Sequence, residues 1–252
     1  MKSENTILGE VLIVLITSVI VVVLFIHPPI EQSLMYHNFS DSKRVFEIPN
    51  FWNVLTNVPF LLVGFLGLLR LKVFAKDHRQ YLIFFVGVIL VSVGSGYYHL
   101  NPSNDTLVWD RLPMTIAFMT LLSILISEFI GDSLGRKMLL PLLGLGLGSI
   151  LWWVLMKDLR LYVIVQFVPI LIIPILLIFF RSQHDSIRTY WFVLIAYLAA
   201  KILEHFDSFF YEYFRFSGHS LKHLVSAVAL FKLYLHYKKR QQVIGQITSL
   251  RK

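Results

Sequence analysis

Residues 159–180, LRLYVIVQFVPILIIPILLIFF, carry a single charge, Arg160, in a run made almost wholly of aliphatic and aromatic side chains. About 20 such residues are what a helix needs to cross ~30 Å of hydrocarbon. A run this long and this apolar reads as a membrane span and not as a buried segment of a soluble fold. Working outward, seven further stretches qualify or nearly so: Ile7–Ile26, Phe51–Leu71, Tyr81–His99, Leu112–Ile130, Met138–Met156, Tyr190–His205 and Gly218–Tyr237. Leu159–Phe180 is therefore the sixth of eight. The seventh and eighth are the weakest, because Lys201, Glu204, His219, Lys222 and His223 interrupt them. Pro59, Pro141, Pro169 and Pro174 lie inside spans, where membrane helices accommodate them as kinks.

The composition of the 252 residues agrees: 56% are hydrophobic and 15% charged, against ~25% charged in soluble domains, and the mean hydropathy is +0.69. Such a chain cannot hide its apolar surface in water. Disordered, coiled-coil and nucleic-acid-binding proteins are excluded with the soluble ones. The net charge of +8 is spread thinly between apolar runs, as it is when basic residues mark cytoplasmic loops. There are no cysteines, which removes disulfides, thiolate metal sites and cysteine nucleophiles together. The expected fold is an all-α polytopic helix bundle in a lipid bilayer, with no nucleic acid and no obligate protein partner.

The first run, Ile7–Ile26, ends in His27-Pro28-Pro29 and not at a small-residue cleavage site, so it reads as a retained helix. Residues 29–50 then form an extracytoplasmic loop, 51–237 the seven-helix core and 238–252 a basic cytoplasmic tail suited to anionic headgroups. One side of the bundle carries fourteen basic residues: Lys2, Arg70, Lys72, Lys76, Arg79, Arg136, Lys137, Arg181, Arg188, Lys238, Lys239, Arg240, Arg251 and Lys252. The other carries six: Lys43, Arg44, Arg111, Lys157, Arg160 and Arg215. The excess puts both termini in the cytoplasm, and an even number of crossings, which leaves both on one side, agrees.

Ionisable residues inside spans are costly and mark candidate sites. Ser95 and His99 are four apart at the end of the third span, on one helix face, and Ser92 extends the stripe. His219 and His223 open the eighth span with the same spacing, continued by Ser226, and Asp110 precedes the fourth. The topology brings these ends to one depth on the extracytoplasmic side. One histidine alone would read as an interfacial packing residue. Three imidazoles from two helices form the common donor set of catalytic zinc, which leaves a fourth position open. Asp110 could orient a ligand or take a proton from water, and Ser95 could donate to a developing oxyanion or position Asp110.

Elsewhere, Lys201 and Glu204 can pair across a helix turn, as a structural ion pair or beside a lipid headgroup. His205 and Asp207 read as solvated interfacial groups, and Trp152, Trp153, Tyr211 and Tyr213 as an aromatic belt. Tyr98 and Trp109 flank the candidate ligands and could line a lipid pocket or pack the core.

The stretch Gly94-Ser95-Gly96-Tyr97-Tyr98-His99, with Leu107-Val108-Trp109-Asp110-Arg111-Leu112-Pro113-Met114, resembles the alkaline ceramidases of the CREST membrane-hydrolase superfamily. Their pattern is Ser-x3-His followed by Leu-x-Asp-Glu-Leu-Pro-Met. His219-Ser220-Leu221-Lys222-His223 resembles their His-x3-His element, and Phe51-Trp52-Asn53 the Phe-Trp-Asn of their first span. The related progestin and adipoQ receptors share the Ser, His, Asp and His-x3-His scaffold, but the Leu-Pro-Met run after Asp110 favours the ceramidase branch. The resemblance, over about residues 50 to 237, implies a seven-helix core with one extra N-terminal span. It also implies zinc on His99, His219 and His223, completed by Ser95 and Asp110, and cleavage of a ceramide-like sphingolipid amide into fatty acid and sphingoid base.

Arg111 departs from the family's Glu, and Lys222 stands where an aromatic is common. Family members also bind calcium through an acidic segment ending in Glu just before Phe-Trp-Asn, where this chain has Asn50. Asp41 and Glu47 could still bind a cation; otherwise the loop around Tyr36–Asp41 caps the site's outer mouth. Two other functions fit the same metal centre: a receptor-like or scaffold protein with structural zinc, and a lipid esterase.

Overall fold

The computed structural model describes residues 4–71, 78–182 and 187–249. Of the charges counted above, Lys2, Lys72, Lys76, Arg251 and Lys252 lie outside them. The described residues form ten α-helices: α1 (Glu4–Ile26), α2 (Phe51–Leu55), α3 (Val58–Leu69), α4 (Arg79–Leu100), α5 (Asn104–Phe129), α6 (Asp132–Met156), α7 (Arg160–Phe179), α8 (Ile187–His205), α9 (Asp207–Phe214) and α10 (Gly218–Ser249). Among these residues there is no strand, only an isolated bridge between Val45 and Ile48. Backbone polar groups in hydrocarbon find no water, so helices satisfy them internally.

Six segments are long and apolar enough to cross a membrane: α1, residues 51–69 (α2 and α3 together), α4, α5, α6 and α7. The last two of the eight expected stretches are helical, as α8 and α10, but fall short in apolarity. Arg188, Lys201 and Glu204 lie in α8 and Lys222 and Lys232 in α10. The span beginning at Phe51 is not one helix: it breaks at Thr56-Asn57, just before Pro59, which has no N–H to continue the ladder. The expected end at Tyr237 is passed too, since α10 continues to Ser249 and takes Lys238 and Lys239 into the helix. Helix α9 was not expected. It exposes Phe209, Tyr213 and Phe214, as an aromatic-rich segment lying in a headgroup layer would.

The chain divides into two compact units. The first comprises residues 1–33 and 115–191 and holds α1, most of α5, α6, α7 and the start of α8. Its core is Met119, Leu122, Leu142 and Val165, with Phe118, Ile126, Met138 and Ile172 packed around them. Helix α1 lies against α7, yet only 6% of its most apolar window is buried. Lipid is the solvent that face needs.

The turn between α6 and α7 is organised by Asp158, which is 1% exposed. Its carboxylate accepts from the Ile30 backbone at 3.2 Å, the Arg160 backbone at 3.0 Å and side chain at 2.8 Å, and the Trp152 indole at 3.1 Å. Arg160 also donates to the carbonyl of His27 at 2.8 Å, so the chain leaving α1 is held to the start of α7. Trp152 thus anchors a turn, and Trp153 is buried, which a belt role would not require.

The second unit, residues 34–114 and 192–252, contains α2, α3, α4, the first part of α5, most of α8, α9 and α10. Helix α3 packs along α4 and α10 lies against α3, around Phe84, Phe85 and Leu233, with Tyr81 edge-on to Tyr237. All the candidate site residues lie here.

Burial alone would push the Asp158 carboxyl up, but hydrogen bonds from Arg160, Trp152 and Ile30 outweigh it and hold the group well below the usual carboxylate range. Its stabilisation is therefore present above the unfolded value of ~3.9 and lost as pH falls towards the folded one. Asp158→Asn should cost about 3 kcal/mol at neutral pH, as breaking a buried ion pair does. The gap between the variant's unfolding temperature in detergent and the wild type's should narrow below about pH 4.

Candidate active site

The third-span stripe forms as its spacing requires. Ser92, Ser95 and His99 are all buried on α4, and the Ser92 hydroxyl donates to the Asn57 carbonyl at 2.7 Å. His219 and His223, on the first turns of α10, are buried as well. The imidazole centroids lie 4.8 Å apart for His99 and His219, 5.3 Å for His99 and His223, and 5.0 Å for His219 and His223. One ligand nitrogen from each falls within 4.8 Å of the others. The Nε2 atoms of His99 and His219 face each other at 3.2 Å, and the Nδ1 of His99 has no hydrogen-bond partner. Three buried imidazoles this close together could hold a metal ion that binds nitrogen.

Around this cluster, the Ser95 hydroxyl donates to the Asp110 carboxylate, so α4 and α5 join directly at the site. A Cβ at Gly94 would lie 1.9 Å from the Trp109 carbonyl oxygen; only glycine lets the two backbones approach this closely. Gly218 does the same for α10 and α8, since a Cβ there would lie 2.1 Å from the Leu203 carbonyl oxygen. His223 Nδ1 is 2.9 Å from the Thr56 hydroxyl. Tyr98 is buried, with its hydroxyl 2.8 Å from His37 Nδ1. Trp109 is 57% exposed, so its ring lies open where that of Tyr98 is packed.

Residues 34–50 close over the histidines. The Phe39 ring packs edge-on to His99 at 4.7 Å and to His219 at 4.5 Å. His37 Nε2 lies 2.9 Å from Asn104 Oδ1. Asn50, in the left-handed conformation with φ 48°, donates its side-chain amide to the His99 carbonyl at 2.8 Å. Asp207 is no solvated interfacial group: it accepts the Ser40 and His219 backbone N–H groups, both at 2.9 Å. His205 is exposed, as expected. Asp41 is 1% exposed, and burial pushes its carboxyl up against the hydrogen bonds of the Lys43 and Trp52 backbones. Glu47 is exposed and paired with Arg44 at 3.2 Å. Among the described residues, the histidines are the one group of three ligand-type side chains close enough to share an ion, so Asp41 and Glu47 are not in such a group.

The Lys201–Glu204 pair forms at 2.7 Å and is larger than its spacing implied, because Lys222 binds the other carboxylate oxygen. The Tyr36 hydroxyl donates to the same oxygen at 3.4 Å, and the Arg111 guanidinium lies 5.3 Å from the Tyr36 ring. The two residues that depart from the ceramidase pattern, Arg111 and Lys222, thus join one cluster around Tyr36 and Glu204. Sequence reasoning expected the loop around Tyr36–Asp41 over the site, where Phe39 makes the contact, but missed the Lys222–Glu204 pairing, the Asp207 clamp and Thr56. Each of these contacts joins residues far apart in the chain.

These features define a helical membrane protein with a buried three-histidine donor set and an adjoining Ser–Asp pair. A family model, Ceramidase, matches residues 37–236, and the chain belongs to that family. No curated protein sequence matches it. Membership implies hydrolysis of a lipid amide, so the protein is a membrane hydrolase.

Gly94→Ala should be unusually costly for so small a change, because the clashing atom is backbone. We expect about 1–3 kcal/mol of destabilisation together with loss of the Ser95–Asp110 hydrogen bond. Gly96→Ala, with nothing within 4 Å of its Cβ, should be near neutral. Thermal unfolding of both variants in detergent checks the contrast.

Proposed function

We propose that the protein is a zinc-dependent intramembrane amidase that cleaves a ceramide-like lipid into a fatty acid and a sphingoid base. The observation that carries this reading is the buried convergence of His99, His219 and His223, with ligand nitrogens within 4.8 Å of one another, in a chain of the ceramidase family. Zinc held there would polarise the scissile carbonyl and acidify water. Asp110 accepts the proton as the water oxygen attacks the carbonyl carbon. It then delivers a proton to the amide nitrogen as the C–N bond breaks, so that the amine leaves neutral. The Ser95 hydroxyl has one proton, and its hydrogen bond to Asp110 supports positioning that carboxylate over donating to the oxyanion. Tyr98 and Trp109 flank the site and contact the substrate, the exposed Trp109 ring being open to an acyl chain.

The surrounding topology is proposed on the charge asymmetry of the loops. Eight crossings, a seven-helix core with α1 added, leave both termini in the cytoplasm and the site towards the extracytoplasmic side. Phe39 and the segment around it then cap the outer mouth, and substrate arrives laterally from the bilayer.

A panel of ceramides and matched acyl esters, incubated in mixed micelles with and without a strong zinc chelator, tests the reading. Amide hydrolysis should require metal. His219→Ala should abolish both metal and activity, and Asp110→Asn should lower kcat by about 10²–10⁴ with metal content unchanged. Ester cleavage alone would make the protein an esterase. Bound zinc with no hydrolysis of either class would leave the ion a structural role.

A further inference from the structure

From the junction of α2 and α3 we infer that Thr56 is a positioning residue for the metal site, holding His223 in the tautomer whose Nε2 is free to bind an ion. The inference rests on the metal reading above and adds a residue that neither the motif spacing nor the family match assigns.

The proton count around Thr56 is closed. Its hydroxyl oxygen lies 2.7 Å from the Trp52 carbonyl oxygen and 2.9 Å from His223 Nδ1. Two oxygens at 2.7 Å repel unless a hydrogen lies between them, and a carbonyl cannot supply it. The one hydroxyl proton of Thr56 therefore points at Trp52, and Thr56 can only accept from His223. Nδ1 then carries the imidazole hydrogen, and Nε2 keeps its lone pair. Nothing comparable is settled at His99, whose Nδ1 has no partner and whose Nε2 faces that of His219.

The helix break is what makes this possible. Helix α2 stops at Leu55, and Thr56 caps it with φ −68° and ψ −2°. Its N–H stays bonded to the Trp52 carbonyl at 3.0 Å, which keeps the hydroxyl over that same oxygen. Three residues earlier on α2, the Asn53 side-chain oxygen accepts from the hydroxyls of Ser220 at 2.7 Å and Ser217 at 3.3 Å. Asn53 and Thr56 are thus matched, at one three-residue spacing, to Ser220 and His223 on α10. Asn53 sets the register between the two helices, and Thr56 uses it to fix the ring.

The test takes the full-length protein in detergent as wild type, Thr56→Val and Thr56→Ser. Valine keeps the shape and removes the acceptor; serine keeps the acceptor. Zinc affinity, read by competition with a chromogenic chelator, should weaken roughly 10- to 100-fold in Thr56→Val and stay near wild type in Thr56→Ser. Equal affinity in Thr56→Val and wild type overturns the inference. A second arm needs no metal. Nitrogen-15 NMR of histidine-labelled, zinc-free protein should find His223 protonated on Nδ1 in wild type and in Thr56→Ser, with the signal assigned by its loss in His223→Asn. A wild-type His223 protonated on Nε2 also overturns it. If wild-type protein binds no zinc, the metal reading fails by itself while the tautomer measurement still decides the role of Thr56.

Discussion

A polar group carried into hydrocarbon has to find its partner within the chain, and most of the second unit follows from that constraint. Asn53 is wholly buried, and both ends of its amide are used: the oxygen by Ser217 and Ser220, the nitrogen by the Asp41 carbonyl at 3.4 Å. Glu204 is met by two lysines from different helices, Lys201 on α8 and Lys222 on α10. Each of these arrangements satisfies a costly side chain and, in doing so, fixes the distance between two helices. The histidines are set by these polar clamps as much as by apolar packing.

The same economy shapes the segment over the site. Phe39 is the apolar lid on two imidazoles, but one aromatic contact of this kind is worth only about 0.5–1.5 kcal/mol beyond its burial. What keeps the lid down is the polar frame around it: Tyr36 on Glu204, His37 between Tyr98 and Asn104, and Ser40 on Asp207. Those partners lie on α8, α4, α5 and α9 respectively. A displacement of any of these helices is therefore felt by the lid, and the lid cannot lift without breaking the hydrogen bonds to them.

What could be read from the sequence was whatever depends on local spacing. Runs of ~20 apolar residues announce helices, and Ser95/His99 and His219/His223 lie four apart on helix faces, so their stripes need no tertiary knowledge. Their convergence followed from counting crossings. Contacts across the chain left no such trace: Thr56 and His223 are separated by 167 positions, and Tyr36 and Glu204 by 168. Lys222 looked like an interruption of a span because its partner lies on another helix. The break at Thr56 was hidden for a different reason, since Pro59 inside an apolar run signals a kink without saying where the helix yields. Helix α9 has eight residues, too few for periodicity to announce it. The aromatic-belt reading of Trp152 rested on its place at a span end and carried no sign of Asp158, six positions on, which accepts its indole N–H.

Asp207 brings these threads together. One oxygen receives the His219 N–H in the first turn of α10, where the helix leaves its N–H groups unpaired and its dipole favours negative charge. The other receives Ser40 of the lid. A single carboxylate therefore terminates the helix that carries two of the three imidazoles and holds the segment that covers them. Gly218, just before His219, permits α10 to start against the Leu203 carbonyl, close enough for that carboxylate to reach. Cap, lid and close approach are three consequences of one placement. The first turn of α10 is held by all three contacts, and a set of side chains that must keep one mutual geometry is best carried on an element held in this way.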